Sequence, residues 1–303
     1  MMQSFDSLLE MMDAFPDEQT CVDHLRAIRW KNGAYCPHCG STKIYHFADR
    51  RTHKCGDCRQ RFSIKVGTIF QDTKLPLRKW YMAIWLITSH KKGIASTQIA
   101  RDLKITQKSG WFVLHRLRHA ARTNSFNAPL DGEVEVDETF VGGKEKNKHA
   151  SKRKGVRGTA GKDIVVGAAQ RGGRVVAKVI TNTDGKTLKG FVRANVSTSV
   201  TLLATDEHSG YTGLSADYMH KFVSHAAGEY AKGDTHTNTI EGYWSQLKRQ
   251  IIGIHHWVSG KHLDRYVAES SWRYNLRGAG EGNRVNQMLS ESGGRLTYKA
   301  LIA

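Results

Sequence analysis

The chain has 303 residues, with 46 Lys and Arg against 28 Asp and Glu for a formal net charge of +18, and its pI is near 9.8. That length buries at least one full core and holds two or three units, and 39% apolar residues with seven Trp, ten Tyr and ten Phe exclude a disordered polyelectrolyte. The positive excess points to a polyanionic partner, nucleic acid first; no long uncharged apolar stretch suggests a membrane span or a membrane partner, and the start Met1 to Ser7 lacks the parts of a secretion signal, so the expected location is the cytoplasm.

In residues 1–30, apolar positions recur at helical intervals (Leu8, Leu9, Met12, then Val22, Leu25, Ile28) and are broken by Pro16, which predicts two short N-terminal helices. Residues 31–70 carry four of the five cysteines in metal spacing. Cys36-Pro-His-Cys39 and Cys55-Gly-Asp-Cys58 are separated by fifteen residues, and short β-like pieces surround them (43–47, 51–54, 61–64). This is the layout of a zinc ribbon. Four thiolates close the shell of a Zn²⁺ ion, so the metal is structural, and so small a unit depends on it to fold. Cys21 is left over.

Residues 75–122 return to the helical period, with Trp80, Ala83, Ile84 and Ile87 on one face. A helix-turn-helix is expected here: Ser96 to Leu103 with Ser96 as N-cap, then Gln107 to Leu117 carrying Lys108, His115 and Arg116, of which Lys108 and Arg116 are candidate DNA contacts. A packed helical subdomain is the other reading of the same spacing. Residues 124–129 read as a linker.

Residues 131–279 alternate strands and helices. Strands are expected at 133–140, 164–169, 175–180, 201–206 and 221–224, with a helix over 187–196 and another carrying Glu241. Three strands, helix, two strands, helix implies an α/β domain with a mixed five-stranded sheet, and residues 280–303 read as a C-terminal tail. Lys144 to Arg157 has seven Lys and Arg in fourteen residues; Lys144, Lys152, Arg153 and Lys154 are expected to touch phosphates without reading sequence.

Three acids fall at the ends of these elements. Asp137 closes the alternating run Val134 to Asp137, Asp206 ends the apolar run from Val200, and Glu241 sits on a helix. A lone carboxylate is usually solvated, but one that ends a wholly apolar strand needs a partner or a metal. Mg²⁺ or Mn²⁺ takes a few carboxylate oxygens plus waters and substrate phosphate, so acids converging inside a basic protein suggest phosphodiester chemistry. On the helix, Asn238, Glu241, Ser245 and Lys248 share one stripe, which lets Lys248 neutralise a phosphate beside the acids. Arg249 adds a further DNA contact. Trp244 and Leu247 are expected to face the core.

Asp137-Glu-Thr-Phe-Val-Gly-Gly-Lys144, Thr205-Asp-Glu-His-Ser-Gly-Tyr211 and His236-Thr-Asn-Thr-Ile-Glu-Gly-Tyr-Trp-Ser-Gln-Leu-Lys-Arg249 resemble the DDE transposases of bacterial insertion sequences, in particular the ISXO-type group with an N-terminal zinc ribbon. The resemblance runs from about Cys36 to Arg277. It implies a ribonuclease-H-like catalytic fold, two Mg²⁺ or Mn²⁺ ions held by Asp137, Asp206 and Glu241, and cleavage and joining of DNA 3′ ends. It also implies double-stranded DNA partners, the terminal inverted repeats and the target, bound by a homodimer or higher homo-oligomer. The spacing of 34 residues between Asp206 and Glu241, and Lys248 seven after that Glu, follow the group's pattern. Some relatives place Asn at the third acid, so Asn238 is a possible substitute, and Glu135 and Glu269 are further candidates. A zinc-ribbon transcription regulator, or a nuclease or resolvase of the same fold, are the alternatives.

Overall fold

The computed structural model describes residues 5–122, 128–143, 147, 149–152, 161–224, 227 and 231–303, with 152 by its backbone alone. Two compact units result: Met1–Thr123 together with Gly278–Ala303, and Asn124–Arg277.

The first unit begins with α1 (Leu8–Ala14) and α2 (Glu18–Arg29). Pro16 separates them, and Asp17 starts the second by accepting from the Thr20 amide at 2.8 Å. Next come β1 (Ile44–His46), β2 (Thr52–Cys55) and β3 (Arg61–Ser63), an antiparallel sheet in chain order. Then follow α3 (Leu77–Ser89), α4 (Ser96–Asp102) and α5 (Gln107–Ala120). Ser96 is not a cap: Ala95 holds the N-cap position of α4, and the Ser96 hydroxyl instead accepts from Gln107 Nε2 at 3.1 Å. Thr106 caps α5, accepting from the Ser109 amide at 3.1 Å. Gly110 lets α4 and α5 cross closely, since a Cβ there would lie 2.8 Å from the Ser96 carbonyl oxygen.

In the second unit the order is β4 (Glu133–Val141), β5 (Asp163–Gln170), β6 (Val175–Ile180), α6 (Gly185–Asn195), β7 (Leu202–Thr205), β8 (His220–Phe222), the short pair β9 (Ala231–Lys232) and β10 (Thr235–His236), α7 (Asn238–Gln250) and α8 (Gly260–Asn275). The large sheet runs β6-β5-β4-β7-β8, antiparallel from β6 to β4 and parallel from β4 to β8. Its strands are apolar on both faces because each face is covered. Val134, Val136, Val166 and Ala168 pack with Leu188 and Val192 of α6, while Val165 and Ala169 pack with Ile240 and Leu247 of α7 and Leu263 of α8. Asn275 closes the β6 edge, its amide oxygen accepting from the Val175 N–H at 2.7 Å and its amide N–H donating to the Val175 carbonyl at 2.9 Å.

The last residues are not a tail. They form α9 (Glu281–Ser290) and α10 (Tyr298–Ile302) and belong to the first unit. Ile69 N–H donates to the Ser292 carbonyl at 2.8 Å, Gly294 N–H donates to that of Gly67 at 3.0 Å, and α9 packs on α3. This return also covers a residue expected on the DNA face. Arg116, expected to face DNA, is 5% exposed; its guanidinium donates to the carbonyls of Leu296 at 3.1 Å and Ile69 at 2.9 Å and lies over the Phe112 ring. His115 is buried as well. Arg116→Ala leaves two buried carbonyls without their donor, so a loss of about 2–4 kcal/mol is expected. Thermal unfolding checks this: wild-type stability with selectively weakened DNA binding would restore the DNA-contact reading.

Candidate active site

Of the three acids Glu241 is exposed, Asp206 is half-buried and so is Asp137. It lies on β4 opposite Gly167 of β5, and that glycine has a purpose: a Cβ there would lie 2.6 Å from the Trp244 ring. Without one, the indole lies against the sheet and its Nε1–H donates to Asp137 Oδ2 at 2.9 Å. Trp244 is buried as expected, but it also orients the acid.

Glu241 reaches the same place through a device that the sequence hides. Glu135 is fully buried two residues before Asp137 and caps α7 from outside the helix: its Oε2 accepts from the amides of Thr239 at 2.7 Å and Ile240 at 3.1 Å. A carboxylate at a helix N-terminus satisfies orphan N–H groups and complements the helix dipole. Arg171 Nε donates to Glu135 Oε1 at 2.7 Å, and His236 Nδ1 lies 3.1 Å from the same oxygen. Glu135 is thus occupied in pinning α7 to β4, which sets Glu241 near Asp137. Glu269 is buried on α8 and ion-paired with Arg273. Asn238 is exposed in the first turn of α7.

A cleft of about 620 Å³ brings Asp137 and Glu241 together with Glu138, Thr139, Lys162, Ser245 and Lys248. Asp206 does not line it but stands at its side. The parallel register ends with Glu135 beside Ala204, and Asp206, just past the end of β7, comes close enough for its charge to act on Asp137; its Oδ1 accepts from the His208 amide at 3.0 Å. Burial, reinforced by the charges of Glu138 and Asp206, pushes the Asp137 carboxyl up to about 7. Burial also raises Glu138; Tyr211 O–H donates to its Oε2 at 2.7 Å, and His208 Nε2 lies 3.8 Å from its Oε1. Strand alternation predicts that Glu138 points away from Asp137, so sequence spacing missed it, yet both line the cleft at this end of β4; it missed Lys162 as well.

A carboxyl whose folded value rises from 3.8 to about 7 keeps its proton in the folded state where the unfolded chain has lost it. Stability therefore falls as pH rises through that window. Asp137→Asn is expected to remove the fall, matching wild type near pH 4 and melting a few degrees higher above pH 7 in chelator. Parallel melting curves at both pH values would count against it.

The four ribbon cysteines form the other cluster. Cys36 and Cys58 sulfurs are 3.6 Å apart, as are those of Cys39 and Cys55, near the ~3.8 Å edge of a tetrahedron with Zn–S bonds of about 2.3 Å. The amides of His38 and Cys58 point at Cys36 Sγ and Cys55 Sγ, each at 3.4 Å. Among the described residues this is the only group of three or more Cys, His, Asp or Glu with all ligand atoms within 4.8 Å of one another. Asp137 and Glu241 instead line an open cleft, with Asp206 beside it. Cys21 is buried elsewhere, its thiol pushed up to about 12 by burial.

Lys108 is exposed on the first turn of α5, its ammonium 4.9 Å from the Tyr298 ring centre, and Lys248 and Arg249 are exposed on α7. Lys144, the Lys152 side chain, Arg153 and Lys154 lie outside the described residues. Among the described residues no helix is long and apolar enough to cross a membrane.

An ISXO2-like transposase domain matches residues 129–275 and a transposase zinc-ribbon domain matches residues 16–61. A protein of Halobacterium salinarum described as an uncharacterized protein in transposable element ISH50 is 29% identical over 271 residues, 84% of this chain and 89% of that protein. Among solved structures, a pre-cleavage Mos1 transpososome aligns with 75% of this chain and 82% of its own, at 12% identity and a TM-score of 0.26. A Mos1 transposase paired-end complex with left transposon end covers 69% and 81%, at 11% identity and a TM-score of 0.21.

Proposed function

Because the chain belongs to the ISXO2-like insertion-sequence transposases, we propose that it binds the terminal inverted repeats of its element through the N-terminal unit and cuts and joins DNA 3′ ends at the acid cleft. The observation that carries this is the burial of Asp137 among like charges in a cleft shared with Glu241 and Lys248. Carboxylates held in mutual repulsion, in an open cleft, suit a divalent cation that keeps water and phosphate oxygens in its shell. Asp137, Asp206 and Glu241 would hold two Mg²⁺ or Mn²⁺ ions, which when bound would activate the attacking oxygen and offset charge on the leaving one. The order β6-β5-β4-β7-β8, with its antiparallel and parallel halves, supports a ribonuclease-H-like reading of this unit.

The chain's own groups do the positioning. Lys248 and Lys162 on the cleft wall neutralise the phosphate that enters, and Trp244 fixes Asp137 by its N–H. Glu135 holds α7 so that Glu241 meets the same phosphate. In the N-terminal unit, α4 and α5 fit a helix-turn-helix whose exposed first turn, Gln107 and Lys108, meets DNA, because a recognition helix reads with its N-terminal end. The zinc ribbon lengthens that footprint. Arg249 and the basic residues 144–157 add phosphate contacts, and joining two ends to a target calls for a homodimer or higher homo-oligomer.

The test is a labelled terminal-repeat duplex with Mg²⁺ or Mn²⁺ and a target plasmid. Nicking at the element end followed by covalent joining of the 3′ end is the expected result. Nicking without joining makes the protein a nuclease or resolvase, and binding without either makes it a regulator.

A further inference from the structure

We propose that an apolar pocket adjoining the acid cleft receives one nucleobase unstacked from the DNA end, with the Trp257 indole as its stacking face; the proposal rests on the transposase reading of that cleft. The pocket encloses about 560 Å³, and its walls include Phe140, Val141, Lys248, Ile251, Ile252 and Trp257. Phe140 and Lys248 also line the acid cleft, so the two cavities meet at these side chains.

The backbone is built to present this rim. Helix α7 runs straight into one turn of π-helix, Ile251–His255. His256 then takes a φ of 61°, and Trp257 N–H donates to the His255 carbonyl at 2.6 Å before α8 starts at Gly260. A left-handed conformation at a residue other than glycine is unfavourable and persists where the surroundings enforce it. On this stretch Ile252 and Trp257 stand outward, 66% and 68% exposed, while Ile251 stays buried. Single exposed apolar side chains are ordinary. Two of them over a cavity, on the stretch of chain that follows Lys248 and Arg249, are less so.

The neighbouring cleft says which occupant fits. A phosphate held at Lys248 brings the base of its own nucleotide to the mouth of the pocket, since the walls are shared. Every base has a flat π-face that stacks on an aromatic ring whatever its identity, and a base drawn out of a duplex loses its pairing and stacking, a cost that a receiving ring offsets and that is least at a mismatch. The indole supplies the face, Ile251 and Ile252 the apolar floor and edge, and Lys248 the countercharge for the attached phosphate.

Cleavage by full-length wild-type, Trp257→Phe and Trp257→Ala protein is compared on two versions of the terminal repeat, one fully paired and one with a mismatch at the nucleotide beside the cut. On the paired end Trp257→Ala is expected to slow nicking about tenfold, with Trp257→Phe between; on the mismatched end, where unstacking is already cheap, the loss shrinks to about twofold. Equal rates for wild type and Trp257→Ala on the paired end overturn the proposal. So does an equal slowing on both ends, or a change of oligomeric state in Trp257→Ala by sedimentation, which gives the pocket to a second copy. A second measurement needs no cleavage: single-stranded oligothymidylate quenches indole emission on stacking, and the quench is expected to be smaller in Trp257→Phe than in wild type. An unchanged quench overturns the proposal, whereas wild type that quenches but never nicks DNA overturns the transposase reading of the cleft.

Discussion

Changing Asp137, Asp206 or Glu241 to Ala is expected to lower both cleavage and joining by on the order of 10³-fold, while affinity for terminal-repeat DNA changes little. The two activities separate because the acids belong to residues 124–277 and the proposed end-binding elements to the other unit. Asn238→Ala is expected to do much less, since Asn238 is exposed at the start of α7 and Glu241 lines the cleft. Glu135→Ala is the instructive control. It lowers activity too, but by freeing the N-terminus of α7 and leaving Arg171 with a lost partner, so its melting temperature falls along with its rate, whereas Asp137→Asn melts higher. If Glu241→Ala keeps near-wild-type joining, the third acid has been misassigned and Glu138, in the same cleft, is the next to replace.

Removal of zinc, or Ser at Cys36, Cys39, Cys55 or Cys58, is expected to unfold the ribbon and weaken specific end binding by more than about tenfold, because metal binding and folding are one equilibrium in so small a unit. The apolar cluster there amounts to Cys36, Cys55 and Phe62 with Trp30, Ile44, Cys58 and Val66 at its margin, too little to hold three short strands alone. Elemental analysis should find one zinc per chain, and none after any two of these substitutions. Cys21→Ser should leave the zinc content unchanged, since Cys21 lies in α2 away from the sulfur quartet. Zinc lost on changing Cys21 alone, or reduced protein free of zinc, would refute the assignment.

What the sequence made legible divides along physical lines. The ribbon could be read because metal geometry fixes cysteine spacing along the chain itself. The five strands could be read because alternation and apolar runs are local, and their ends moved by only a residue or two: β7 stops at Thr205, and β8 starts at His220. Roles set by distant partners could not be read. Arg116 sits in a helix whose spacing does not reveal that Leu296 and Ile69 cover it. Glu135 and Asp137 share a strand face, and only the arrival of the α7 N-terminus makes one a cap and leaves the other in the cleft. Glu138 was passed over for the same reason, since nothing near it in the chain announces Tyr211.

The return of residues 278–303 to the first unit ties that unit's completion to residues synthesised only after the whole of the second unit. A ribosome has released all of residues 1–123 long before Leu296 and Ser292 emerge to take their donors, so the nascent chain carries an unfinished first unit until residues 124–277 have also been made. A chain broken off before residue 278 would lack the carbonyls of Ser292 and Leu296 that take the Ile69 amide and the Arg116 guanidinium, leaving both donors inside the first unit without these acceptors.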